Sequence, residues 1–437
     1  MSNSEFDLDV DRGNTALNFL PWIRQAQQSG KGLGGMVMEI MRLRRGQGKL
    51  QPDEYFMYGM YDDARFTAES RKTFLGQDNL LVPSPWAKIA GDKPTLTTLL
   101  TGMGLPVPET QAIVHPFRTF ANAFALRNPA DVANFLRKDA RYPIFGKPFD
   151  SVCSMGTAKI DRYDAEHDAV IVSGDKVVPV DAFAKKINEL GLAYLFQTLM
   201  LPHPEIAKLI GPCVSSVRMF VISDRDGAAL FRAAWKIPAS VNHADNFWRV
   251  GNILAGVDIE TGKILRTVVR TEDGTEPIAA HPITDAVFDG MVFPEWDAMK
   301  HLVMQAAINL PHCHFQGWDV ALTDRGPILV ELEGDGGNPI MEQLCFDTGL
   351  LQGRYLKVVE EYNEREKQSQ KRNRSRDAAA LRKSVAALAV PFETRRTNVD
   401  SNEDASSELD DSTVKTTSAP IVIPTGTSIP TDSNVTV

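Results

Sequence analysis

The stretch Gly317–Pro339, GWDVALTDRGPILVELEGDGGNP, decides how the chain is read. WDVAL has the pattern of a strand, TDRG of a turn and PILVELE of a second strand, which together predict a hairpin. Asp319 stands near the start of the first strand, and Glu331 and Glu333 near the end of the second. In a hairpin those positions are neighbours, and Glu331 and Glu333, two apart, point to the same face. Three carboxylates on one face repel each other. The cluster persists only where cations offset the charge or one carboxyl keeps a proton. Mg²⁺ takes hard oxygen ligands and shares them with phosphates, so one reading is a divalent-metal site for a nucleotide. The other is a solvated acidic hairpin. Against it stand Ile328, Leu329, Val330 and Leu332, apolar on both sides as in a buried strand.

Upstream, Phe145–Ile160 reads FGKPFDSVCSMGTAKI. Lys147 ends an apolar strand and precedes a loop of small residues, Ser151 to Thr157, that includes Gly156. Small residues let backbone N–H groups approach phosphate oxygens, and a lysine adds charge. The stretch is neither GxxxxGK[ST] nor GxGxxG, and taken by itself the loop reads better as a surface hairpin turn. Arg218 interrupts the apolar strand SSVRMFVI, where it is either inward and paired or outward on an open face. Lys93 in GDKPT and Lys236 in AAWKIP read as surface lysines when taken singly. His243, Asp245 and Asn246 fall in a polar loop that could line a substrate or simply cap a turn. His312 and His314 flank Cys313 without further ligands nearby in sequence, which favours packing at a helix end, and His281-Pro282 marks a turn.

The rest of the chain sets the frame. Its 437 residues carry 47 Lys+Arg against 56 Asp+Glu, a formal net charge of −9. That balance disfavours a general binder of nucleic acid or of an anionic membrane, since each neutralised phosphate needs a cation, while leaving room for a local basic patch. Cys153, Cys213, Cys313 and Cys345 lie far apart with no zinc spacing, which fits a reducing, cytoplasmic setting. The N-terminus is acidic and polar, unlike a signal peptide, and no apolar run reaches the ~18–20 residues that span a bilayer, so no transmembrane segment is expected.

Leu17–Leu50 has a helical pattern in which Met36, Val37, Ile40, Met41 and Leu43 make an apolar side, and Arg42, Arg44, Arg45 and Lys49 a basic one, read as solvated in preference to a contact with a membrane surface or an anionic polymer. Pro52–Tyr61 predicts an aromatic-rich helix packed into a core through Tyr55, Phe56, Tyr58 and Tyr61. In DKPTLTTLLTGMGLPVPET, Asp92 caps a helix, Pro94 sits in its first turn, and Gly102 and Gly104 close it. From Tyr142 onward, strand-like runs (YPIFGKPF, AVIVSG, VRMFVIS, AALFRAAWKI, GPILVEL) alternate with helices at Asp131–Lys138, Val180–Glu189 and Glu295–Leu310, an α+β body. After Tyr362 a charged, Ala-rich stretch with helical character follows. From Pro391 the chain is too polar to offset its ordering entropy and is read as disordered.

In this order the pieces resemble the ATP-grasp superfamily, and more closely its sugar-transfer-associated branch, related to α-L-glutamate ligases, over roughly Leu33 to Tyr362. GKLQPDEYFMYGMYD resembles the branch's helical N-terminal region, and DKPTLTTLLTGMGLPVPE the opening of an ATP-grasp unit. YPIFGKPFDSVCSMG resembles the lysine strand and phosphate-covering loop, and YLFQTLMLPHPEIAKLIGPCVSSVRMFVI the hinge and arginine strand. HADNFWRVGNILAGVDIETGKI resembles the branch's Asp-Asn and glycine stretch, and GWDVALTDRGPILVELEGD the metal-binding hairpin.

The resemblance implies an α+β ATP-grasp fold, two lobes clamping ATP. It divides the chain into a helical region (1–82), an ATP-grasp domain (83–362) and a charged linker with a disordered tail (363–437). It also implies that Lys93 and Lys147 lie near the nucleotide phosphates, that the loop at Ser154, Met155 and Gly156 covers them, and that Phe196, Gln197, Thr198 and Leu199 receive adenine. Arg218 and Lys236 would contact phosphate or the activated carboxyl, and Asp319, Glu331 and Glu333 would ligate Mg²⁺. Two departures stand out: Gln197 replaces the common hinge acid, and the usual E-x-N reads Glu331-Leu332-Glu333, with Asn338 able to supply an amide nearby.

The implied chemistry is ligation of a small-molecule carboxylate to an amine through an acyl phosphate, with ATP and Mg²⁺. The family's name suggests a sugar or amino-acid precursor of a surface polysaccharide. The alternatives are a small-molecule kinase, or a nucleotide-binding scaffold that has lost turnover. No covalent protein nucleophile is needed, in keeping with a chain that offers no Ser-His-Asp or Cys-His order.

Overall fold

In a computed structural model of the chain, the structure describes residues 19–120, 122–149, 156–189, 191, 193–239, 247–272, 274–337 and 339–375. Six helices come first: α1 (Phe19–Gln28), α2 (Leu33–Arg45), α3 (Pro52–Met57), α4 (Ala68–Lys72), α5 (Ala87–Gly91) and α6 (Lys93–Gly102). The first seven strands follow with two helices among them: β1 (Thr110–Val114), β2 (Phe124–Leu126), α7 (Pro129–Lys138), β3 (Ile144–Pro148), β4 (Ala158–Asp164), β5 (Ala169–Val172), β6 (Lys176–Pro179), α8 (Val180–Glu189) and β7 (Tyr194–Thr198). After α9 (Pro204–Ile210) come β8 (Ser216–Asp224), β9 (Gly227–Ile237), β10 (Ile253–Val257), β11 (Ile264–Thr271), β12 (Gly274–Pro277), α10 (Trp296–Ala307), β13 (Phe315–Thr323) and β14 (Gly326–Glu333). Helices α11 (Pro339–Leu344) and α12 (Gly353–Ser375) end the described chain.

The strands divide cleanly in chain order. The first seven form one sheet, β2-β1-β7-β3-β4-β5-β6, and the last seven another, β12-β11-β10-β9-β8-β13-β14. The fold is therefore mixed α+β with a helical N-terminal part and two separate sheets, in keeping with the two lobes that the resemblance implies. The first sheet packs Ile144, Val170, Tyr194 and Phe196 against Val132, Phe135, Phe183 and Ile187 of α7 and α8. The second is covered on both faces. Val217, Met219, Trp235, Trp318 and Val320 pack on α10 and α6, while Ala234, Leu254 and Val268 meet Met36, Tyr55 and Tyr58 from the N-terminal helices. Burial on both faces explains why β13 is buried along its whole length.

Several local readings are borne out by their mechanism. Asp92 Oδ1 accepts from Thr95 N at 2.9 Å, capping α6, and Pro94 sits in its first turn. Helices α7, α8 and α10 lie where the periodicity places them. Tyr55 and Tyr58 are core residues, with Phe56 and Tyr61 packed beside them, although α3 stops at Met57, short of the expected Tyr61. The pattern from Leu17 to Leu50 is two helices rather than one, because the chain turns at Gly30 in the left-handed region, φ 86°. The apolar side of α2 also divides: Met36 and Leu43 are buried, Ile40 is half-buried, and Val37 and Met41 face solvent.

The described residues up to Gln368 pack as one compact unit. The chain from Ser369 is a second, described only to Ser375 at the end of α12. The segment from Pro391 lies outside the described residues. Among the described residues, no helix is long and apolar enough to cross a membrane.

One buried amide ties the N-terminal helices to the C-terminal half. Gln343 Oε1 accepts from Leu75 N (2.7 Å) and Leu350 N (3.1 Å), while Nε2 donates to Tyr58 Oη (2.9 Å) and Leu75 O (2.8 Å). Truncation strands several buried partners at once. Gln343→Ala is expected to cost about 3 kcal/mol in urea unfolding, well above an ordinary surface change.

Candidate functional site

Period-two alternation puts one face of the second sheet in play. Val217, Met219, Ala233, Trp235, Trp318 and Leu332 point to the α10 side, so Arg218, Arg232, Lys236, Asp319, Glu331 and Glu333 point to the other. Register then brings them together. Arg218 pairs with Asp319, Asp319 with Glu331, Gly317 with Glu333, and Phe220 with both Gly317 and Arg232. The hairpin achieves this with a bulge. Val320 pairs with Leu329 but Asp319 with Glu331, which leaves Val330 as the extra residue. Leu329 and Leu332 therefore both reach the α10 core although they are three apart, and the glutamates are delivered to the opposite face.

The charges neutralise one another. Arg218 Nε donates to Asp319 Oδ1 at 2.5 Å, and its Nη2 to Asp319 Oδ2 at 3.3 Å and Glu333 Oε1 at 2.9 Å. Lys236 Nζ donates to Asp319 Oδ2 at 2.9 Å. Burial alone would raise the Asp319 pKa, but the adjacent Arg218 and Lys236 override it and hold the carboxyl well below the usual range. Burial likewise opposes the charge on Arg218, and Asp319 and Glu333 outweigh it, so the guanidinium stays protonated. Lys93, at the first turn of α6, sits 3.0 Å from Glu331 Oε1 and donates to Phe149 O at 2.8 Å. It thereby links the second sheet to the end of β3, two residues past Lys147.

The three carboxylates share a face as predicted, each engaged by a cation of the chain. Among the described residues no group of three or more His, Cys, Asp and Glu side chains is placed to hold a metal ion. The donor chemistry, hard carboxylate oxygens beside lysines, suits Mg²⁺ once those ion pairs are exchanged.

The first sheet presents Lys147, Phe145 and Gln197 on the face away from α7 and α8. Gln197 turns its amide to Thr110 Oγ1 at 3.3 Å. Phe196 points the other way and packs on Phe135 and Tyr194, so at the hinge it offers only backbone. Thr198 and Leu199 line a pocket of about 330 Å³ with Glu109, Tyr142, Leu201 and the hairpin tip Asp324-Arg325. Thr198 Oγ1 donates to Glu109 Oε2 at 2.8 Å, and Leu199 N to Pro143 O at 3.1 Å. Gly156 is buried, its carbonyl accepting from Tyr194 Oη at 3.0 Å. Ser154 and Met155 lie outside the described residues, as do His243, Asp245, Asn246 and Asn338. His281 holds its turn by accepting from Thr284 N, and Cys313 and His314 serve packing and backbone contacts.

Sequence reasoning missed Arg232 and Glu342. Arg232 is four residues before Lys236 on the same face, a signal available in AALFRAAWKI, and its Nη1 donates to the carbonyls of Glu342 and Thr348, both at 2.8 Å. Glu342, inside the apolar run PIMEQL, gave no such signal. It is fully buried, and neither carboxylate oxygen has a hydrogen-bond partner among the described residues. The same holds for Arg218 Nη1. Gly337 (φ 76°) closes over this corner, where an added Cβ would lie 2.0 Å from Glu333 Oε2 and 2.5 Å from Arg218 Nη1. Burial pushes the Glu342 pKa up to about 7, with Arg218 pulling it back down.

A carboxyl raised in the folded state keeps its proton while the unfolded chain has lost its own. Stability contributed by Glu342 therefore falls as pH climbs from 4.5 to about 7 and levels off above. Glu342→Gln is expected to match the native protein near pH 5 and exceed it by roughly 3 kcal/mol near pH 8 in urea unfolding. Equal pH profiles for the two proteins would contradict this.

A family model described as sugar-transfer associated ATP-grasp matches residues 178–361. No curated protein matches the chain. Among solved structures it is similar to D-alanyl-alanine synthetase A of Vibrio cholerae O1 biovar eltor, at 11% identity and a TM-score of 0.37, over 64% of this chain and 66% of that one. It is also similar to D-alanine-D-alanine ligase of Coxiella burnetii, at 12% identity and a TM-score of 0.35, over 64% and 60%. A third is L-amino acid ligase of Bacillus licheniformis, at 11% identity and a TM-score of 0.32, over 59% and 43%. The chain thus spans less than two thirds of the length of each. The segment that the family model matches, residues 178–361, supplies β7 to β14 and with them Arg218, Lys236 and the three-carboxylate hairpin.

Proposed function

We propose that the protein is an ATP-dependent carboxylate–amine ligase, with residues 83–362 as its ATP-grasp domain, residues 1–82 as a helical region and residues 363–437 as linker and tail. The observation that carries this reading is the single sheet face on which Arg218, Lys236, Asp319, Glu331 and Glu333 meet, with Lys93 reaching it from α6. Adenine would enter the pocket beside Thr198 and Leu199. Lys93 and Lys147 would neutralise the phosphates, with the backbone of the loop at Ser154, Met155 and Gly156 covering them. Asp319, Glu331 and Glu333 would hold Mg²⁺, which when bound supplies charge neutralisation at the phosphates.

The substrate carboxylate attacks the γ-phosphorus and ADP leaves. The amine then attacks the acyl carbon and phosphate leaves. Positioning and charge do most of this work. Arg218, fixed by Asp319, would hold the transferred phosphoryl group, and Lys236 would share the charge of the acyl phosphate. The family's description suggests an acid or amine linked to a sugar, or an amino-acid precursor of a surface polysaccharide, handled in the cytoplasm where ATP is supplied.

A second reading, a nucleotide-binding protein without turnover, is favoured by one observation: Asp319, Glu331 and Glu333 are each already engaged by a cation of the chain.

ADP release over carboxylate–amine pairs separates the readings. A ligase releases ADP only when both substrates are present. A kinase gives a stable phosphorylated product from one. A scaffold shows a raised Tm with ATP and no ADP in any mixture. Glu331→Gln is expected to lower Mg²⁺-dependent turnover at least a hundredfold, roughly what loss of one charged transition-state contact costs. Lys147→Ala is expected to weaken ATP binding roughly tenfold in a thermal-shift titration. Normal turnover in Glu331→Gln removes it from the metal site.

A further inference from the structure

We propose that the solvent face of α2 seats the protein on an anionic bilayer surface. The helix runs from Leu33 to Arg45, about 20 Å long. It packs inward through Met36 and Leu43. Its outward arc carries large apolar side chains, with Leu33 49% exposed, Val37 52%, Met38 65% and Met41 43%. Leu33, Val37 and Met41 repeat at i, i+4 and i+8, so they line up on one stripe with Met38 beside it. The last turns add Arg42, Arg44 and Arg45, and Lys49 follows past the helix end, all exposed.

None of these four cations forms an ion pair with another described residue. The one acid on the helix, Glu39, is turned away from this arc. It is held by Lys31 at 2.6 Å and Arg71 at 3.3 Å, and accepts from Tyr55 Oη at 2.7 Å. Among the described residues of α2, this face is therefore apolar and cationic, on a chain whose net charge is −9.

That combination selects the occupant. An anionic headgroup layer offers charge to the arginines and an acyl boundary to the apolar stripe, the two chemistries present side by side. A nucleic acid would take the arginines and leave four large apolar side chains in water. An acidic chain at large repels an anionic surface, so contact is confined to this patch. Soluble monomers rarely leave such a stripe uncovered.

The test is flotation of the full chain with vesicles of equimolar phosphatidylserine and phosphatidylcholine, against pure phosphatidylcholine, at low and high salt. Binding is expected to the anionic vesicles only and to weaken with salt. The triple change Arg42→Ala, Arg44→Ala, Arg45→Ala is expected to reduce it roughly a hundredfold, about fivefold per arginine. Val37→Ser, Met38→Ser, Met41→Ser is expected to reduce it at least tenfold even at low salt. All six sites are exposed, so both variants should keep the native Tm.

Undiminished binding in the arginine variant would overturn the proposal and move the contact elsewhere on the chain. Undiminished binding in the serine variant would reduce it to plain charge attraction without seating. No vesicle binding, together with a native dimer that the serine changes dissociate, would assign the face to a second copy of the chain.

Discussion

Arg218 stands in the middle strands of a seven-stranded sheet, where a lone cation would be prohibitively costly to bury. Asp319, directly opposite on β13, makes it tolerable, and the two are joined through two guanidinium nitrogens. Lys236 and Glu333 then extend the pair into a network. Much of the rest of the second sheet can be seen as what such a network requires: apolar packing behind it on the α10 side, and helices closing the face around it. A buried network of this kind is weak evidence for stability, since its desolvation offsets much of its attraction. It is better understood as an arrangement that fixes the direction of its charged groups.

The helical N-terminal part is not an appendage to this sheet. Tyr58 and Leu75 hydrogen-bond to Gln343, next to Glu342, and Arg71 is held by Met60 O and Asp63. Arg232 grips the carbonyls of Glu342, Thr348 and Gly349. The segment from α11 to the start of α12 is thus clamped from both sides. That clamping holds in place Glu342, whose carboxyl oxygens have no hydrogen-bond partner among the described residues.

Much of the site was legible because its residues obey short-range rules. Two glutamates two apart must share a strand face, and a cap at Asp92 must precede the helix that begins with Lys93. An α+β body could be read from the alternation of strands and helices, and its division into two lobes only from the family resemblance. What escaped had tertiary causes. Strands β1, β7 and β10 lack strict alternation because their neighbours bury both faces, and β2 and β12 stand at sheet edges. Glu342 sits on a short apolar helix, and only the assembled fold puts it near Arg218. The apolar residues of α2 satisfy one periodicity, yet the protein buries only part of them; a helix pattern gives the faces but not which face finds a partner.

The bulged Val330 has a consequence for how this hairpin can vary. On the turn side of it, parity is counted from Thr323 and Gly326; on the site side, from Asp319 and Glu331. Removing that single residue would leave composition almost untouched while exchanging inside for outside along Glu331-Leu332-Glu333. Both acids would then face the tryptophan-lined interior and Leu332 the cations. Among related chains, the hairpin should therefore tolerate changes of length at its tip in even steps, while the odd residue beside the acids persists.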